Sequence, residues 1–263
     1  DSQRYKYHFV FGPRIAESPI MEGPDYTPNI EEILRADPDV ILTMQQAVIQ
    51  PLEERGLPVI FLAWREPEDI RRVIRLLGEV FGETERAEAY LAYFDEAVER
   101  VRQRVADLPP EERVRVLYID PQTMANTHLI TEWWIEAAGG VSVTKAIHVS
   151  ESVSVTLEQV LAWDPDVIVV RTKEDAEVLR RDRRFAALRA VQSGRIHVTP
   201  TGAHLWAHRT SEQPLTVLWA AKTFYPDRFT DLDLAEEAQR FYADFYGVDL
   251  TDEQIAEILA SGM

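Results

Sequence analysis

The chain has 263 residues, 46% of them hydrophobic, and a net charge of −17, enough apolar surface for a substantial core and the wrong sign for nucleic acid or anionic lipid. It holds no cysteine, which excludes disulfides, zinc–thiolate sites, iron–sulfur clusters and thiol catalysis. No apolar run reaches the ~18 residues of a membrane span, and no signal peptide stands ahead of DSQRYKYHFVFG, which reads as a mature or trimmed start.

In chain order, Pro13, Pro19, Pro24 and Pro28 break any long element before residue 29. Residues 29–36 predict an amphipathic helix and 40–43 a buried strand, with a sharp Asp37-Pro38 turn between them. Residues 45–56 read as a short helix interrupted by Pro51, and 58–63 as a second buried strand. Ile70, Val73, Ile74, Leu77 and Val80 mark one face of a helix over 67–80. Leu91, Phe94, Val98, Val101, Val105 and Leu108 recur at spacings of 3 and 4, which predicts one helix over 84–108. Thr84 would cap it and Pro109-Pro110 would stop it. At about 37 Å it is longer than one small lobe needs.

The second half opens with a strand over 114–119 and a loop to about residue 126. The helix HLITEWWIEAAGG follows, ending on Gly139-Gly140, then a mixed Val/Ser/Thr-rich stretch over 141–155. At least one of Trp133 and Trp134 is core, since adjacent helical residues point about 100° apart. A strand over 167–170, a helix face at Phe185, Leu188 and Val191, and a strand over 195–199 come next. The polar-aromatic loop TGAHLWAHRTSE leads to an apolar helix over 215–224, and helices near 233–246 and 251–260, the last capped by Thr251, close the chain.

Residues 29–43, NIEEILRADPDVILT, and 156–170, TLEQVLAWDPDVIVV, are two copies of one unit at a constant offset (158 − 31 = 127). Each is a helix, an Asp-Pro turn and an apolar β-branched run. The expected architecture is α/β: two Rossmann-like lobes with mostly parallel sheets covered on both faces. The N-terminal lobe would span 1–83, the connecting helix 84–108 and the C-terminal lobe 109–263.

Those paired segments, with LEERGLPVIFLAW…EDIRRVIRLLG, the long helix and WWIEAAGG, resemble the class III (cluster A) substrate-binding proteins of ABC importers. These bind iron-siderophore, haem, cobalamin and related metal complexes, and the resemblance covers roughly residues 25–263. Family members carry a further strand and helix ahead of the segment matching Phe9–Glu22, so the N-terminal lobe reads as trimmed. The resemblance implies an extracytoplasmic, monomeric binding protein with no intrinsic cofactor and a cargo that contains a metal. It also implies a permease partner contacted through one glutamate per lobe. Glu31 and Glu158 match those positions, although a carboxylate at a helix start is favoured by the dipole in any case.

In open parallel sheets ligands gather at the carboxyl ends of strands. Those ends are Met44-Gln45-Gln46, Trp64-Arg65, Asp120 through His128, Arg171-Thr172 and Thr201 through Arg209. The densest is His204-Leu-Trp206-Ala-His208-Arg209: an indole to stack, a guanidinium for an oxyanion, and two histidines as candidate metal ligands. Trp64 and Arg65 would face it across a cleft. Met44, Gln45, Met124 and Arg171 complete the candidate walls, although Met44, Met124 and Tyr118 equally suit packing.

No nucleophile-elbow, phosphate-loop, dinucleotide or zinc-protease motif is present. The expected function is therefore capture without chemistry, with a ferric-siderophore-type anionic chelate favoured. Haem, a nickel chelate, cobalamin and molybdate-type oxyanions stay open. The alternatives are a metal-dependent enzyme using His204 and His208, which requires a third ligand and an acid–base group, and a structural adaptor without a pocket.

Overall fold

The computed structural model describes residues 6–23 and 27–260. Its first half contains α1 (His8–Phe11), α2 (Ile30–Ala36), β1 (Ile41–Thr43), α3 (Ile49–Glu53), β2 (Val59–Phe61), α4 (Pro67–Phe81) and α5 (Thr84–Val105). The second half runs β3 (Arg115–Tyr118), β4 (Ala125–Asn126), α6 (Ile130–Ala137), β5 (Val141–Ser142), β6 (Val153–Ser154), α7 (Leu157–Trp163), β7 (Val167–Val170) and α8 (Lys173–Arg181). It ends with α9 (Arg189–Gln192), β8 (Ile196–Val198), α10 (Gln213–Phe224), α11 (Leu234–Tyr246) and α12 (Asp252–Ala260). Pro24 lies outside the described residues.

The two sequence copies fold alike because their caps are alike. The Asn29 side chain accepts from the Glu32 amide at the start of α2, and Thr156 forms a reciprocal capping box with Gln159 at the start of α7. Both helices stop at an aspartate in the left-handed region, Asp37 at φ 47° and Asp164 at φ 41°. Aspartate tolerates that conformation, and the proline after it blocks another helical turn. A second capping box, Thr251 with Gln254, starts α12 as the sequence predicts.

The architecture is mixed α/β with mostly parallel sheets. In the C-terminal half, four parallel strands lie in the order β5-β3-β7-β8. Alternation along the strands divides the core in two. Val116, Tyr118, Val167 and Val169 face α5, α6, α10 and α11, while Leu117, Ile119, Ile168 and Val170 face the α7–α9 side. The N-terminal half departs from expectation. Among the described residues its sheet is the parallel pair β1-β2, and Leu42 on β1 is 39% exposed, so this sheet is not covered on both faces.

The long helix also differs from its prediction. Glu83 is its N-cap, Thr84 is already helical with no cap bond from a side chain, and regular structure ends at Val105, with Leu108 turning back to bond the Val105 carbonyl. Its apolar stripe is buried against α10, and α4 packs beside it. Gly78 permits that approach, since a Cβ there would lie 2.6 Å from the Ala87 Cβ. The helix is a shared wall, touching α4 of the first half and α10 of the second. Residues near the start, grouped with the N-terminal lobe by sequence, pack on the C-terminal helices: Tyr7 bonds Glu257 and Phe11 stacks on Tyr242 at 4.7 Å. The stretch around Phe185–Val191 is not one helix face; it resolves into a 3-10 turn and α9, preceded by α8, whose Ala176 and Leu179 join the same core.

Candidate functional site

The loop between β8 and α10 is organised by one buried carboxylate. Glu212, fully buried, accepts from the Ala203 and His204 amides at 2.9 Å each and from the Thr210 hydroxyl at 2.9 Å. It also accepts from the Trp206 indole at 3.1 Å and from the Tyr242 hydroxyl. Burial pushes this carboxyl above its ordinary pKa while the donors work in the other direction. Gly202 is required beside it, because a Cβ there would meet the Tyr242 hydroxyl oxygen at 1.9 Å and Glu212 Oε1 at 2.2 Å. Trp206 is therefore a keystone of the loop, 0% exposed, and not a stacking surface for a ligand. An indole whose N–H finds an internal acceptor and whose rings join the core is more stable buried.

What the loop leaves half-buried is His204 and Arg209, with His208 buried beneath them. His208 Nε2 is 3.0 Å from the Tyr118 hydroxyl at the end of β3, and its ring lies 4.2 Å from that of His128 and 5.6 Å from that of His204. His128 comes from the loop after β4. Its Nδ1 is buried without a hydrogen-bond partner. Burial, followed by the nearby charges of Arg209, His204, Arg171 and His148, lowers its pKa to about 4.

The ring is thus neutral in the folded protein at pH 7. Its folded pKa lies below its ordinary 6.5, so the stability it contributes is whole above pH 6.5 and is lost as pH falls toward 4. Melting curves should show a loss of about 3 kcal/mol from this ring. His197 on β8, also lowered to about 4 by burial, contributes a similar slope. His128→Asn should remove about half of the combined effect; an unchanged slope would refute the assignment.

Arg65, after β2, and Arg209 converge from the two halves on Glu151. Arg65 Nε is 3.2 Å from one carboxylate oxygen and Arg209 Nη1 is 3.7 Å from the other. Glu151 sits on the 143–152 loop, which is fastened on both sides of it. The antiparallel pair β4-β6 holds Val153 and Ser154. Buried Glu132 holds His148 Nδ1 at 2.6 Å and the Thr144 hydroxyl at 2.7 Å. Burial alone would raise the Glu132 pKa, but the bonds from His148, Ser142 and Thr144 bring it below its ordinary value.

The remaining candidates are less central. Arg171 stays near His128, but its guanidinium is paired with Asp120, which also caps the Gln122 and Thr123 amides. Trp64 packs against the large core with its indole N–H buried and without a hydrogen-bond partner. Met44 is 40% exposed, and Gln45 reaches Glu22. Met124, at φ 54°, packs against the core cluster on the α7–α9 side of the sheet, which makes it a packing residue. Glu31 and Glu158 stand exposed in the first turns of α2 and α7. A pocket of ≈ 350 Å³ opens beside the loop, lined by His204, Arg209, Ser211 and Tyr246 with Phe11 and Gly12.

Among the described residues no group of three or more His, Asp or Glu side chains is disposed to hold a metal ion. His208 directs Nε2 to the Tyr118 hydroxyl. Sequence reasoning passed over Glu151, Glu132, His148 and Glu212, and took His128 only as the end of a loop. Position at a strand's carboxyl end was the one signal available for His128.

Loops from the two halves of this α/β chain thus place Arg65 and Arg209 on one carboxylate, with the His128, His204 and His208 rings beside one another on neighbouring loops. The chain belongs to the periplasmic binding protein family, whose model matches residues 8–202. It is 25% identical over 257 residues to the molybdate-binding protein MolA of Haemophilus influenzae, across 88% of this chain and 73% of that protein. The structure of MolA bound to molybdate superposes with a TM-score of 0.83, at 23% identity over 95% of this chain and 84% of that one. An ABC transporter solute-binding protein from Sulfurospirillum deleyianum gives 0.80, at 26% identity over 93% and 80%. The iron-uptake system-binding protein of Bacillus subtilis is 24% identical over 199 residues, 67% of this chain and 59% of that protein. The chain is thus a class III periplasmic solute-binding protein of an ABC transporter, a binding protein and not an enzyme. No helix among the described residues is long and apolar enough to cross a membrane.

Proposed function

We infer that the protein captures a tetrahedral metal oxyanion of the molybdate type between its two halves. One observation carries this reading: Arg65 and Arg209, from opposite halves, aim at a single anionic group. Guanidinium donors match oxyanion geometry, and the neighbouring histidines add N–H donors with no metal cage of their own. The similarity to MolA, whose name records molybdate binding, supports the same ligand. An anionic ferric chelate, favoured by sequence, is the second reading. It shares the charge, and the B. subtilis relative is named for iron uptake, but Trp206 is no longer available to stack on it. Any metal belongs to the cargo, and no resident cofactor is needed.

Calorimetric titration with molybdate, tungstate, sulfate and an anionic ferric tris-catecholate tests this. Binding of molybdate and tungstate is expected. Binding of the ferric probe alone would move the reading to chelates.

The protein works as a monomer outside the cytoplasm, in the periplasm or anchored at the cell surface, and hands cargo to its permease through Glu31 and Glu158. Charge reversal at both, Glu31→Lys with Glu158→Lys, should cut permease-stimulated transport about tenfold or more while oxyanion affinity stays within about twofold. Undiminished uptake in reconstituted vesicles would exclude the docking role.

A further inference from the structure

Glu151 is in an unusual state for a carboxylate. Both its oxygens are shielded from solvent, yet neither accepts a hydrogen bond, and its partners are two guanidiniums at 3.2 and 3.7 Å. The side chain as a whole is 34% exposed, so its carboxylate is held by two ion pairs without well-formed hydrogen bonds and is weakly held. The partners belong to different halves of the molecule. The Arg65 side chain is 61% exposed and that of Arg209 31% exposed. Behind Glu151 the loop is anchored at His148 and at β6, but between those points its bonds are local, the Ser150 hydroxyl donating to the Ser152 carbonyl. Four residues, 149–152, can swing without breaking the core, and Val149 at their start already points into solvent.

We propose that Glu151 is a built-in surrogate anion and the charge-selecting residue of this site: it bridges Arg65 and Arg209 while the site is empty and is expelled by a dianion. This rests on the oxyanion reading above. The charges explain the selection. Two arginines with Glu151 between them carry one net positive charge. A monoanion that replaces Glu151 exchanges like for like in charge and leaves one guanidinium unneutralised. A dianion neutralises both guanidiniums and releases the carboxylate to water, so only doubly charged ligands profit from displacing it.

Tungstate and perrhenate, tetrahedral ions of nearly equal size that differ by one charge, are the probes, each titrated against the full chain and its Glu151→Gln variant. Gln keeps the shape and removes the charge. The native chain is expected to bind tungstate and reject perrhenate. E151Q should bind tungstate about tenfold tighter and admit perrhenate, so that the ratio between the two falls. Unchanged or weaker tungstate binding with perrhenate still rejected, in a variant that melts like the native chain, would overturn the proposal and leave the oxyanion function standing. Glu151→Ala repeats the test should Gln disturb folding. If neither protein binds tungstate but both bind the ferric tris-catecholate, the oxyanion function fails. Tighter chelate binding by E151Q would then uphold the displaced-carboxylate role, and equal or weaker binding would overturn it. No anion bound by either protein overturns both.

Discussion

Glu212→Ala lowers the melting temperature by about 10 °C and abolishes ligand binding, the largest effect expected of any single substitution here. The carboxylate satisfies donors from Ala203, His204, Trp206, Thr210 and Tyr242 at once. Its removal strands buried N–H and O–H groups, at a cost of about 3–5 kcal/mol. Because Trp206 and the His204 amide are among those groups, the loop that carries His208 and Arg209 loses its shape along with its stability. Glu212→Gln should fall between, since one oxygen still accepts while the new amide faces donors. Gly202→Ala approaches the same failure from the opposite side, driving a methyl into the Tyr242 hydroxyl and the carboxylate. Scanning calorimetry on the three variants checks the order; an unaltered melting temperature in Glu212→Ala would mean that the loop is held by something else.

Arg209→Ala should weaken molybdate or tungstate binding about a hundredfold, through a lost charge-assisted contact in a partly desolvated site. Arg65→Ala should cost less, because the Arg65 side chain is about twice as exposed and more screened by solvent. Neither change should move the melting temperature much, which separates these arginines from Glu212. Titration calorimetry at fixed ionic strength reads both. Native affinity in Arg209→Ala would remove the ligand from this corner of the molecule.

Much of the fold is legible from local pattern. The repeated helix, Asp-Pro turn and strand announce themselves, because caps, left-handed aspartates and β-branched runs act over a few residues. The burial of β7 and of residues 116–119 follows from their uninterrupted apolar stretches. The site is less legible, because its key contacts join residues far apart in the chain. Nothing in VTKAIHVSES marks Glu151 as the partner of Arg65 and Arg209, and Glu212 looks like any surface acid ahead of a helix. Trp206 misleads for a related reason. A Trp between two histidines suggests a ligand wall, yet the deciding fact is the carboxylate six positions later that accepts its indole N–H. Thr84 is a smaller instance: a good capping residue, displaced one position into the helix by Glu83.

The helix Thr84–Val105 has one further consequence. Since α10 and α4 are both packed on it, the two halves share a common spine, and large opening would tear core contacts. A transporter inspecting such a protein has little outline to read. Under the proposed oxyanion reading, loaded and empty molecules would tumble and scatter almost identically, and the difference between them would lie in the local field around the two arginines.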